Sequence, residues 1–265
     1  MASEPKLAQD EHWRGVLTGE SRSIHRMRRI MGWFPSDPRC KLCAAPFGRP
    51  GKSVLRFVGF GPSTLNRRIC RMCVHSLDKM PGGAEVELSL LFADVRGSTA
   101  LAEHTGAEEF SQLMARFYGV AATAVDRRDG IVDKFVGDQV VALFIPGFAG
   151  ADHAASAVAS ARELLERTGH DGEPWIPVGA AVHTGVAYVG TVGEGDAMDF
   201  TALGDSVNTA ARLASSAAAG EILVSSAAAA ASNLDTEGLE ARTLSLRGRE
   251  ESVEAWVATL EPARV

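Results

Sequence analysis

Long hydrophobic runs are missing from this 265-residue chain. A membrane-crossing helix needs about 20 consecutive apolar residues. The stretch IVDKFVGDQVVALFI, residues 131–145, is strongly apolar yet already carries three charges, Asp133, Lys134 and Asp138. No membrane span is therefore expected. The N-terminal MASEPKLAQDEHWRG is polar and acidic and has no apolar signal core, so a cytoplasmic protein is expected. Cysteine is absent beyond residue 73, and no internal repeat is found.

What is present fits a globular chain: 46% hydrophobic and 23% charged residues, in a length that suits one good-sized core plus a small module. The net charge of −6 hides a split. Residues 1–80 carry 15 Lys and Arg against 6 Asp and Glu, and the remainder carries 12 against 27. Such asymmetry points to two units with different partners. The seam is expected in DKMPGGAEVE (78–87), where Pro81-Gly82-Gly83 punctuates the chain. The expected layout is a basic helical segment over 1–35, a cysteine module over 36–80, a linker over 81–86 and a larger domain over 87–260.

The cysteine module holds CKLC (Cys40, Cys43) and CRMC (Cys70, Cys73). Two C-x2-C pairs give two tight knuckles and four thiolates, which complete a tetrahedral zinc shell and stand in for a core that this segment lacks. One structural Zn²⁺ is the expectation, with an iron–sulfur cluster or a redox dithiol left open, because spacing alone does not choose the metal. His75, two residues past Cys73, reads as a solvated histidine. Upstream, SIHRMRRIMGWF (23–34) forms a basic amphipathic helix with Ile24, Met27, Ile30 and Met31 on one side. A membrane-surface or nucleic-acid role is open to it. A helix docked on its neighbour with solvated arginines is the reading preferred here, since no interleaved aromatics are present to stack bases. Nucleic acid is accordingly not expected as a partner.

In the larger domain, VELSLLFADV (86–95) reads as a buried strand ending at Asp94. A helical segment follows, with Ser98 as N-cap and Phe110, Leu113, Phe117 and Val120 at helical spacing. IVDKFV and QVVALFI form a hairpin around Gly137-Asp138. A helix covers about 151–168, IPVGAAVHTGVAYVGTV is strand-like with a glycine break, and TALGDSVNTAARLASSA turns from a loop into a helix. EILVSS is a strand, and TLSLRGREESVEAWVATL makes two strands around an Arg-Gly turn. Hairpins mixed with helices indicate an α+β fold, with an antiparallel-rich central sheet flanked by helices.

Two carboxylates stand out. Asp94 ends a strand just before RGST, which offers backbone N–H groups at a helix start, and Asp138 sits in the turn of a buried hairpin. A strand-end carboxylate beside a helix N-terminus can hold a divalent cation next to a phosphate chain, and two such carboxylates suit in-line phosphoryl chemistry. FADVRGST, KFVGDQVVALF, AVHTGVAYVG and DFTALGDSVNTAARL, in this order and spacing, resemble the catalytic domain of the class III nucleotidyl cyclases, from about Val86 to Leu260. The cysteine module lies outside the resemblance.

The resemblance implies a ferredoxin-like core and a two-metal cyclisation of a nucleoside triphosphate with loss of pyrophosphate. Asp94 and Asp138 match the family's aspartates for two Mg²⁺ or Mn²⁺ ions, with the Val95 carbonyl as a further ligand. Backbone N–H groups of Gly97, Ser98 and Thr99 match the phosphate cradle. Lys134 matches the base-selecting lysine, Asn208 the residue that orients the ribose, and Arg212 the arginine that stabilises the transition state. Arg247 or Arg249 stands where the family usually has a lysine for the terminal phosphates. Thr201 replaces the aspartate of many adenylyl cyclases. Its hydroxyl can accept from the adenine 6-amino group but can also donate, so ATP is the expected substrate while GTP or a pyrimidine triphosphate stays open. The family builds each site between two chains, and a single copy carrying the full set implies a head-to-tail homodimer. Cyclic AMP production in signalling is the implied function, and a non-catalytic cyclase-like domain is the rival.

Overall fold

The computed structural model describes residues 4–34, 38–48, 59–63, 69–73, 75, 82–194, 199–245 and 252–260. In chain order the elements are α1 (Glu4–Thr18), α2 (Arg22–Gly32), β1 (Gly83–Val95), α3 (Ser98–Thr105), α4 (Ala107–Arg127), β2 (Ile131–Val136), β3 (Gln139–Phe144), the short α5 (Pro146–Ala149), α6 (His153–Thr168), β4 (Val178–Val192), β5 (Asp199–Leu203), α7 (Asp205–Ser216), β6 (Ile222–Ser225), α8 (Ser226–Ser232), β7 (Glu240–Leu244) and β8 (Val253–Ala258). They fall into two compact units. The first comprises 1–86, 146–150 and 188–202, and the second 87–145, 151–187 and 203–265.

In the first unit, α1 buries Trp13, Val16 and Leu17, the three-and-four spacing of an apolar helix face. The turn of α5 lies so close to α1 that a Cβ on Gly147 would stand 2.2 Å from the Val16 carbonyl oxygen. Glycine is required there by space. The docking expected of α2 is only partial. Arg28 donates to the carbonyls of Lys41 and Gly147, yet no residue of α2 is buried.

The second unit carries most of an eight-stranded sheet whose order is β2-β3-β1-β4-β6-β8-β7, with β5 pairing β4 off this path. The pairs β1/β3, β2/β3, β6/β8 and β7/β8 are antiparallel, and β4/β6 is parallel. This is the α+β, antiparallel-rich architecture expected from the sequence. From Leu88 to Ala93 every residue of β1 is buried, which explains why that run is almost continuously apolar. α4 buries Met114, Phe117, Ala121, Ala124 and Val125, and α6 contributes Ala154, Ala157, Ala161, Leu164 and Leu165. The alanines allow these two helices to approach closely, and the buried Ser160 hydroxyl donates to the Ala124 carbonyl at 3.1 Å.

Three local expectations change. The helix after Asp94 is capped by Gly97, with φ +67, and not by Ser98. It then breaks at Gly106 (φ +79), so two helices replace one segment. Left-handed backbone at both glycines explains the two corners. The glycine in AVHTG is no break either, because β4 runs through it. A Cβ at Gly185 would lie 2.6 Å from Ser206 Oγ, and that hydroxyl donates to the Val186 carbonyl at 2.7 Å. Gly185 is the place where α7 meets the strand. His183 is held by Ser225 Oγ at 2.9 Å, the satisfied strand histidine foreseen for it.

Candidate active site and metal centre

The β1/β3 register sets Asp94 opposite Gln139, so the neighbouring turn residue Asp138 comes beside Asp94. The Val95 N–H donates to the Asp138 carbonyl at 3.2 Å and locks the two backbones together. Gly137 takes φ +61 in that turn. Tyr118 of α4 braces it from outside: its hydroxyl donates to the Gly137 carbonyl, and its ring stacks on Phe135 at 4.3 Å.

The carboxyl of Asp94 is pushed up to about 6. Burial is the main cause; the Arg96 guanidinium opposes it, and the adjacent Asp138 carboxylate reinforces it. Two close carboxylates that resist sharing negative charge form a site that welcomes a divalent cation. Arg96 holds Asp94 Oδ2 at 2.7 Å and reaches the Ser215 carbonyl at the end of α7 at 3.1 Å.

Around Asp138 opens a cleft of about 610 Å³ lined by Ser98, Thr99, Tyr118 and Gly137 among others. The first turn of α3 contributes backbone N–H groups without intrahelical partners, the usual feature of an anion-binding helix start. The structure thus brings together Asp94, Val95, Gly97, Ser98, Thr99 and Asp138. Sequence reasoning gave Arg96 no role and missed Tyr118. Arg96 had a signal, since a residue two places beyond Asp94 in extended chain shares its side. Tyr118 had none, because only the tertiary approach of α4 brings it to the turn.

Comparison with known proteins fits this geometry. Residues 83–259 match the model of the adenylate and guanylate cyclase catalytic domain. The chain belongs to that family. Among curated relatives, an adenylate cyclase of Anabaena cylindrica is 30% identical over 177 residues, covering 63% of this chain and 34% of the relative. Adenylate cyclase 1 of Rhizobium meliloti is 31% identical over 134 residues, covering 48% and 20%. The chain therefore spans about a third or less of the length of these relatives. Among solved structures, the guanylyl cyclase Cya2 superposes with a TM-score of 0.60 at 27% identity, covering 70% of this chain and 98% of that one. The adenylyl cyclase CyaB from P. aeruginosa gives 0.57 at 28% identity, covering 67% and 96%.

Within the cyclase domain the other motif residues are distributed as follows. Lys134 lies on β2 just after a bulge at Asp133, where the β2/β3 register shifts, and its ammonium stands 3.4 Å from the Asp133 carboxylate. A bulge of this kind re-aims the side chains next to it. Asn208 and Arg212 are one turn apart on α7, Asn208 exposed and Arg212 half-buried. Among the described residues, neither side chain forms a hydrogen bond or ion pair. Thr201 is buried on β5. Arg247 and Arg249 lie outside the described residues.

The first unit holds a second centre. Cys40, Cys43, Cys70 and Cys73 are all buried, and their sulfur atoms lie within 4.8 Å of one another. Cys43 and Cys70 are 3.6 Å apart, and Cys40 and Cys73 3.9 Å. A tetrahedron of Zn–S bonds near 2.3 Å has edges of about 3.8 Å, whereas a disulfide would need about 2.05 Å. The donor set therefore fits a tetrahedral thiolate metal. The Cys70 N–H points at Cys40 Sγ at 3.2 Å and the Cys73 N–H at Cys70 Sγ at 3.4 Å, an arrangement that stabilises thiolate charge. His75 is exposed, outside the quartet.

Proposed function

We propose that this chain is an adenylyl cyclase that converts ATP into 3′,5′-cyclic AMP and pyrophosphate between two copies of itself, in cytoplasmic signalling. The observation that carries the reading is the juxtaposition of Asp94 with Asp138, which lines a cleft together with Ser98 and Thr99 of the α3 N-terminus. The ribose 3′-oxygen attacks the α-phosphorus and gives its proton to water, while the bond from that phosphorus to the bridging oxygen breaks and pyrophosphate leaves. Asp94, Asp138 and the Val95 carbonyl would hold two Mg²⁺ or Mn²⁺ ions, which supply Lewis-acid activation of the hydroxyl and neutralise the leaving group. The Gly97–Thr99 N–H groups cradle the phosphates, with Arg247 or Arg249 at their far end. Lys134 donates to purine N1, and Thr201 accepts from the 6-amino group.

Asn208 orients the ribose, and Arg212 neutralises the charge that develops on the phosphorus oxygens. The exposure of Asn208 and its lack of a partner among the described residues support a role toward a second chain. Residues 87–260 act as the catalytic domain. Residues 36–80 form a zinc-stabilised module behind a basic segment over 1–35, with 81–86 as the joint. Among the described residues no helix is long and apolar enough to cross a membrane.

The deciding experiment incubates purified protein with ATP, GTP, CTP and UTP in parallel, with Mn²⁺ and then Mg²⁺, and resolves cyclic products by chromatography. Cyclic AMP, absent from an Asp138→Ala control, is the expected result. Cyclic GMP or a cyclic pyrimidine nucleotide would keep the reaction and overturn the base assignment. No product from a metal-loaded dimer would favour the non-catalytic reading.

A further inference from the structure

We infer that α2 is a docking surface for an anionic lipid bilayer, giving this chain a peripheral membrane position. The sequence from Ser21 to Phe34 contains no acidic residue. Arg22, Arg26 and Arg29 recur at a spacing of four and three and form one exposed stripe. Among the described residues none of the three has an acidic partner. Beside it runs an apolar stripe, with Met27 40%, Ile30 54% and Phe34 42% exposed. Trp33 closes the helix at 85% exposure.

The apolar stripe continues onto the cysteine module. Met72, between Cys70 and Cys73, is 41% exposed and rims the same apolar cavity as Met27. A soluble monomer rarely leaves several large apolar side chains together in water. Cationic side chains flanking an apolar strip, with tryptophan at its edge, match the layered chemistry of a bilayer surface. Phosphate and carboxylate headgroups meet the arginines, the acyl boundary receives Met27 and Ile30, and the indole sits between them.

Charge decides against other occupants. A second copy docked through the same face of a two-fold pair would set the three arginines against three arginines. A nucleic acid would satisfy the arginines but leave Met27, Ile30 and Met72 without apolar partners. The arginine stripe is also the part that gives selectivity, because each cation near an anionic surface strengthens binding about fivefold at low salt.

The test is flotation of the purified full chain with vesicles of phosphatidylcholine alone and of phosphatidylcholine with 30% phosphatidylserine, at low and at high salt. Binding to the anionic vesicles alone, weakened by salt, is expected. The combined variant Arg22→Gln, Arg26→Gln, Arg29→Gln should lose about 100-fold in partitioning. Trp33→Ala should weaken binding while leaving its salt dependence in place. Both substitutions are at exposed positions, and circular dichroism checks each fold; should one variant misfold, the other decides. The inference is overturned if anionic vesicles do not bind the protein, or if both variants bind as the parent does. It is equally overturned if the arginine variant changes the mass in solution with vesicle binding intact, or if the chain binds single-stranded nucleic acid and not vesicles.

Discussion

The two units of this molecule reach stability by different means. The sheet unit buries large side chains such as Leu88, Leu90, Phe117 and Phe144 to below 2% exposure, and burial of that kind supplies the main driving force of folding. Among its described residues the cysteine unit buries a smaller apolar set, with Leu42, Ala45, Phe47 and Ile69 in the quartet's own segments and Trp13, Val16 and Leu17 on α1. A small apolar core is marginal on its own, and the four clustered thiols fit a metal that would supplement it. The difference teaches that one chain can combine a fold legible from periodicity with one legible only from ligand chemistry.

The contrast predicts separable responses. Stripping the thiolate metal with a chelator, or Cys43→Ser, should cost the cysteine unit most of its structure, since structural zinc sites are worth on the order of 10 kcal/mol. Limited proteolysis should then cut within 36–80 while the sheet unit melts as before, and metal analysis should return one zinc per chain. Loss of the sheet transition as well would break the comparison. Asp138→Asn should lower cyclase turnover by about 10³-fold or more, roughly 4 kcal/mol, with the melting profile of both units unchanged. Phe144→Ala should remove about 3–5 kcal/mol from the sheet unit in denaturant unfolding and leave zinc content unaltered.

A finer prediction concerns His153, which is buried in the sheet unit with Nδ1 2.9 Å from Ser89 Oγ. The same Ser89 hydroxyl is 2.7 Å from Thr184. Burial lowers its proton affinity, so below the ordinary histidine range of about 6.5 the unfolded chain takes up a proton that the native state refuses. Its stabilising contribution is complete above that pH and declines as pH falls toward the lowered native value. His153→Gln should flatten the fall in stability between pH 7 and 5; a slope equal to the parent's would assign it to another group, His170 being the nearest in kind. The smallest effect is expected for Arg242→Gln. Arg242 grips both oxygens of Glu221 at 2.7 Å and holds that carboxyl below its usual range. The guanidinium is partly solvated, so less than about 1 kcal/mol should be lost, and only above the titration of Glu221.

Much of the candidate site was legible because its residues sit at strand ends and turns, where an ionisable group has no packing purpose. FADVRGST and the Gly137-Asp138 turn are of this type, and the structure sets Asp94 beside Asp138 through the β1/β3 register. Arg96 was present in the motif, yet its hold on both Asp94 and the end of α7 depends on chain that returns more than a hundred residues later. The two glycine corners at Gly97 and Gly106 escaped helical periodicity, because periodicity records which face is apolar and not where the backbone turns left-handed. Gly185 misled for the opposite reason. Its missing side chain makes room for Ser206 and does not interrupt a strand.

The amino-acid sequence by itself determined the division of charge, the four thiols in two knuckles, the α+β alternation and the motifs of a cyclase domain. All of these are patterns that a chain carries whatever its final shape. Tertiary structure alone decided that α2 keeps its apolar stripe in water, that Tyr118 braces the Gly137-Asp138 turn and that Arg96 ties Asp94 to α7. The reason is physical: exposure and pairing are properties of what another segment does or does not cover, and no local spacing records the arrival of a distant neighbour.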